Sequence, residues 1–212
     1  MLKKLIQKPF RYSFYNISLY LIVINCIIFA LTSLFPQIKG YLGLSPFGII
    51  KYKMLWQPLS YMFTHGNLTH LLSNMIGLLF FGIAIERAIG SKEFALFYFS
   101  TGIISGLLSV LIYVLTKNYF AILIGASGAL YAVMLAYAVI FPRSTVYIFG
   151  IIPISSPIMV IAYAGIEFFS QFSTHQSNVA HTTHLLGFLV AWIYFLVRMG
   201  INPIKIWKNA YR

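Results

Sequence analysis

Residues 124–138 read IGASGALYAVMLAYA and set one serine, Ser127, between Gly125 and Gly128 inside an otherwise apolar run. A lone serine in such a run is ordinarily a packing residue, its hydroxyl bonded to a carbonyl one turn earlier. Ser127 is not alone, because two other polar clusters interrupt apolar runs: His65-Gly-Asn-Leu-Thr-His70-Leu-Leu-Ser-Asn74 and His181-Thr-Thr-His184. Serine, histidine and asparagine side chains can supply a nucleophile, its general base and the donors of an oxyanion site.

The elements that must position these groups follow from composition. Hydrophobic residues make up 60% of the 212-residue chain and charged residues only 8%. A soluble domain carries roughly 25% charged residues, so a polytopic membrane protein is implied. The net charge of +12 is scattered at the ends of apolar runs rather than gathered in a stripe, which argues against nucleic acid as a partner and for the lipid bilayer. The single cysteine, Cys26, cannot form an intrachain disulfide.

Six apolar spans are expected, at about 17–35, 68–85, 94–115, 122–141, 157–172 and 183–197, in one domain covering 1–212. The first apolar run is too long for a signal-peptide core, and no small-residue cleavage site follows it. The 36–66 connection holds Pro46, Lys51, Lys53 and Pro58 among its aromatics, which suits a segment lying in the membrane interface. With six spans both termini share a side, and only Lys39, Lys51, Lys53 and Lys117 fall on the other. By the positive-inside rule the termini are cytoplasmic, and a bacterial plasma membrane is the expected location.

Helical rise then gives depths. At ~1.5 Å per residue Ser127 lies about 22 Å from Pro142, His184 about 21 Å from Arg198 and His70 about 24 Å from Glu86. One level, several ångströms below the outer surface of a hydrocarbon core of ~30 Å, therefore holds all three.

The chemistry can be assigned at that level. Four residues separate His70 from Asn74, so a helix presents both on one face, where they and the Ser127 backbone N–H could form an oxyanion site. His65, five residues before His70, points away from that face and is expected to hydrogen-bond the first loop. Tyr131 lies one turn from Ser127 on the same face, in position to stack against a histidine ring. Between His181 and His184, the face of His184 continues through the small residues Gly187 and Ala191, which permit close helix approach, whereas that of His181 meets His184 and Phe188. His184 is the expected base. The chain has no aspartate, and of its acids Glu86 and Glu93 belong to the cytoplasmic end. Glu167 is the only candidate for a third member, but it is expected to be solvated near the outer end of the fifth span, which leaves a Ser127/His184 dyad. The fifth span and the polar segment from Ser170 to Val179 are expected to move aside for substrate.

The same residues carry a resemblance. Gly125-Ala126-Ser127-Gly128 with Tyr131, then His65, His70 and Asn74, Glu86-Arg87 with Gly90, and His184 with Gly187 make the chain similar to the rhomboid family of intramembrane serine proteases over nearly its whole length. The resemblance implies an all-α bundle of six transmembrane helices with an interfacial first loop. It also implies hydrolysis of membrane-protein substrates without a cofactor, with Ser127 and His184 as the catalytic dyad. Two positions depart from the family pattern: the usual Trp-Arg pair of the first loop reads Trp56-Gln57, and the last small residue of the sixth-span pattern is Ala191.

Rival functions fit less well. A metal site built on His65, His70, His181 and His184 would need an all-histidine shell and would leave Ser127 unexplained, so no metal is expected. A proteolytically inactive relative that binds transmembrane segments typically lacks the serine or the histidine. A transporter is disfavoured by the absence of an inverted repeat.

Overall fold

The computed structural model describes residues 6–148, 150–172 and 181–212. Of the polar segment expected to cap the site, Ser173, Thr174, Ser177 and Asn178 lie outside the described residues.

Helix α1 (Ile17–Leu34) begins where the buried Glu86 carboxylate accepts the backbone N–H groups of Ile17 and Ser18 at 2.7 and 2.8 Å. An acid at a helix N-terminus satisfies free donors and complements the helix dipole. Three short helices follow, α2 (Ile38–Leu42), α3 (Pro46–Tyr52) and α4 (Gln57–Ser60). Ser45 caps α3 by accepting from Gly48 N, and Pro46 occupies the first position, where a missing N–H costs nothing. The substituted position of this loop is an anchor in its own right: Gln57 is fully buried, accepts from Ser45 N at 3.2 Å and donates towards the carbonyls of Gly40 and Tyr41. Trp56 Nε1 adds a 2.9 Å bond to Tyr41 O.

Helix α5 (Leu68–Ile89) starts at Asn67, whose side chain accepts from His70 N at 2.8 Å, and it widens into a π-helical turn over Leu78–Gly82. It is followed by α6 (Ser91–Leu115), α7 (Ser127–Ile140), a hairpin of β1 (Thr145–Ile148) and β2 (Ile152–Ser155), α8 (Ser156–Ser170), α9 (His181–Met199) and α10 (Pro203–Ala210). Among the described residues, α1, α5, α6 and α9 are long and apolar enough to cross a membrane, and α7 and α8 are shorter apolar helices. The molecule is thus an integral, multi-pass membrane protein with a helical bundle. Large apolar side chains such as Tyr20, Val23, Phe80, Ile161 and Phe169 point outwards, as expected where the surrounding solvent is hydrocarbon.

Helix α7 is central. Eight of its positions from Ala129 through Ala138 are buried alanine, valine, leucine or methionine, and it is packed by α6, α8 and α9. Its neighbours approach closely because they offer small faces. On α6, Thr101 and Ser109 return their hydroxyls to carbonyls one turn earlier, and Ser109 also meets Thr183 of α9 at 2.6 Å. A Cβ at Gly187 of α9 would collide with the carbonyl oxygen of Gly128, so only glycine permits this α7–α9 crossing.

One boundary differs from the sequence expectation in a way that matters. The fourth apolar run, expected to be helical over 122–141, becomes helix only at Ser127. Before it the chain is extended, with Leu44 and Leu123 exchanging backbone hydrogen bonds of 2.9 and 2.8 Å and Gly125 N donating to Tyr61 O at 2.9 Å. Pairing with the first loop supplies the partners that a helix would otherwise provide, and Gly125, at φ 120, makes the turn into α7. The connection after α7 forms the β1–β2 hairpin.

Candidate active site

The late start of α7 makes Ser127 its first helical residue, so the backbone N–H of Ser127 is among those with no intrahelical acceptor. The N-terminus also carries the positive end of the helix dipole, which favours a developing negative charge beside it. From α9, His184 brings Nε2 to 2.7 Å from Ser127 Oγ. Tyr131, one turn along α7, stacks on the His184 ring with centroids 4.2 Å apart and planes within 8°. The ring is therefore held flat on one face while its edge meets the serine.

Helix α5 contributes the other side. The ring of His70 reaches Gly125, where an added Cβ would lie 2.7 Å from His70 Nε2 and 3.6 Å from Ser127 Oγ, so a side chain at 125 would intrude between them. His70 Nδ1 faces Gly66 N at 3.5 Å, which leaves Nε2 directed at the serine side. Asn74 Nδ2 donates one hydrogen to His70 O at 2.7 Å and keeps a second. His65 is fully buried, edge-on to His70 with ring centroids 5.0 Å apart, and its ring lies against the Phe63 backbone of the first loop. Burial, reinforced by the neighbouring His70, pushes its pKa down to about 3, so it stands as a neutral ring packed behind His70.

Glu167 also departs from expectation. The sequence puts it in solvent near the outer end of α8, but it is only 5% exposed and its carboxylate turns inwards. Its Oε1 lies 3.0 Å from His184 Nδ1, its Oε2 lies 2.6 Å from His181 Nδ1, and Tyr131 Oη donates to it. An ionisable group at membrane depth costs too much facing lipid and so turns to the bundle interior, where partners exist. Glu167, His181 and His184 each place one ligand-type atom within 4.8 Å of the others, a set able to hold a divalent cation. Glu86 and Glu93 lie at the other end, the first accepting from the start of α1 and the second paired with Arg198 at 2.7 Å and with Tyr194.

A cavity of about 1070 Å³ joins these groups. His70, Asn74, Ser127, Tyr131, Glu167 and His184 line one part of it, and its remaining wall is largely apolar and runs between α5 and α8.

Residues 52–200 match the family described as Rhomboid domain. RHOMBOID-like protein 12, mitochondrial, of Arabidopsis thaliana is 32% identical over 145 residues, which is 62% of this chain and 43% of that protein. RHOMBOID-like protein 4 of the same plant is 34% identical over 132 residues, 62% of this chain and 32% of that protein. Rhomboid-like protease 3 of Toxoplasma gondii is 32% identical over 75 residues, 35% of this chain and 27% of that protein. The chain thus spans less than half the length of each of these relatives.

Proposed function

The chain belongs to the rhomboid family, and from that premise we propose that it is an intramembrane serine endopeptidase that cuts transmembrane segments of membrane proteins near the outer leaflet. The observation that carries the proposal is the 2.7 Å contact of His184 Nε2 with Ser127 Oγ inside a cavity open between two helices. In the reaction Nε2 takes the Oγ proton as Oγ attacks the scissile carbonyl. The carbonyl oxygen becomes an oxyanion beside the Ser127 N–H, His70 and Asn74. Collapse breaks the C–N bond while Nε2 returns the proton to the leaving amine, and water, deprotonated by the same nitrogen, then hydrolyses the acyl ester. No step calls for a cofactor.

The six-span topology of this reading has α7 and α8 completing the bundle despite their length, and the excess of Lys and Arg near the termini supports a cytoplasmic placement of both ends, in a bacterial plasma membrane. Labelling by a fluorophosphonate probe tests the proposal: the detergent-solubilised chain reacts and Ser127→Ala does not. A folded wild-type chain that stays unlabelled would point instead to an inactive relative that only binds transmembrane segments.

The oxyanion site has its own expected outcome. Replacing His70 or Asn74 by alanine lowers turnover on the order of 10²- to 10³-fold without removing it, since each deletes one of several donors. Full activity in the double variant would refute the assignment.

Access predicts a further result. The cavity already separates α5 from α8, so substrate entering from the bilayer passes between these helices. With the exposed Cys26 first replaced, cysteines placed on the cavity-facing sides of α5 and α8 and joined by a short cross-linker suppress cleavage of a transmembrane substrate. Unchanged turnover in a fully cross-linked sample counts against lateral entry.

A further inference from the structure

The Ser127/His184 pair leaves one buried atom unaccounted for. When Nε2 accepts the serine proton, the hydrogen of the neutral ring must reside on Nδ1, and His184 is only 5% exposed. Nδ1 is in hydrogen-bond geometry with no described group, and a buried donor without an acceptor is costly. Glu167 Oε1, 3.0 Å away, is the acceptor in reach. Nor is the carboxylate free to drift, because Tyr131 Oη donates to it and His181 Nδ1 holds its other oxygen at 2.6 Å. Tyr131 thereby fixes the base twice, stacking on its ring and anchoring the acid behind it.

We infer that Glu167 is a positioning residue for His184, so that this chain works with a Ser127–His184–Glu167 relay in place of an unassisted dyad. The inference rests on the protease reading above. Glu167 takes no proton in the reaction. It holds the Nδ1–H tautomer, which leaves Nε2 free to accept, and its negative charge sits 3.0 Å from the imidazolium that forms as Ser127 loses its proton. Coulombic support at that distance, away from bulk water, acts even where the N–H does not point straight at the oxygen. The carboxylate arrives on α8, one of the two helices bordering the entry cavity, and the pairing is present while that cavity stands open. Glu167 is thus in place in a form of the protein that substrate can reach.

Steady-state cleavage of a model transmembrane substrate by the full chain in detergent tests the inference. Glu167→Gln keeps the shape and removes the charge, and kcat falls on the order of 10²-fold while KM stays within about threefold, because the lost interaction belongs to the transition state. Glu167→Asp restores part of the kcat by returning the charge. A Glu167→Gln variant that folds and keeps the wild-type kcat overturns the inference and leaves the protease reading intact, whereas an inactive wild-type chain removes both. A loss confined to KM, or one that tracks a loss of thermal stability, makes Glu167 structural and also overturns it. On the wild-type chain itself, histidine ¹⁵N NMR finds the neutral His184 ring protonated at Nδ1 with a strongly deshielded proton. Protonation at Nε2 instead refutes the relay whatever the variants do.

Discussion

Ser127→Ala abolishes cleavage of a model transmembrane substrate and leaves the fold intact. Removing a serine-protease nucleophile lowers turnover on the order of 10⁶-fold, to whatever binding and the oxyanion donors alone provide. The structural change is one hydroxyl at the partly exposed first residue of α7, whose bond to His184 Nε2 contributes about 1 kcal/mol to stability. Thermal unfolding of the two proteins followed in one detergent, with cleavage measured on a gel, gives both quantities. Comparable turnover by Ser127→Ala would end the protease assignment.

His184→Ala has an effect of similar size, and His181→Ala does not. The two rings share a helix face and both reach Glu167, yet His184 Nε2 is the nitrogen that meets Ser127, and Tyr131 stacks on that ring. His181→Ala removes one partner of the carboxylate and leaves the reacting pair untouched, so its activity stays within about tenfold of wild type, while loss of the base costs on the order of 10⁶-fold. Parallel kinetics on the two variants decide the matter, and the reverse pattern would transfer the base to His181.

The convergence of Ser127, His70 and His184 was legible because helical rise converts sequence distance into depth, and the ends of three spans are marked by Pro142, Glu86 and Arg198. All three residues line one cavity. The start of α7 was not legible from hydropathy, since Ala121–Ile124 is as apolar in an extended segment as in a helix. What decides it is a non-local pairing of Leu123 with Leu44, far away in sequence. Glu167 escaped for a different reason. Its nearness to the end of α8 suggested water, but its position in the helical period says otherwise: Met159 and Tyr163, eight and four residues earlier, face the cavity, while Ile158, Ile161 and Phe169 face outwards. A lone acid in phase with the inner face of a span is a signal the sequence did contain. His65 had no such signal, because its burial behind His70 depends on how the first loop folds over α5.

The extended segment ahead of α7 has a metric consequence. Because the helix runs only from Ser127 to Ile140, its 14 residues, at ~1.5 Å each, fix the nucleophile about 21 Å above the Phe141–Pro142 turn, well short of a hydrocarbon core of ~30 Å. Helix α7 is a spacer that separates the serine from the turn leading into the β1–β2 hairpin. Under the proposed protease activity, the peptide bond a transmembrane guest offers to Ser127 would be set by how deeply the guest is seated, so moving the charged flank of a model substrate should shift the cut.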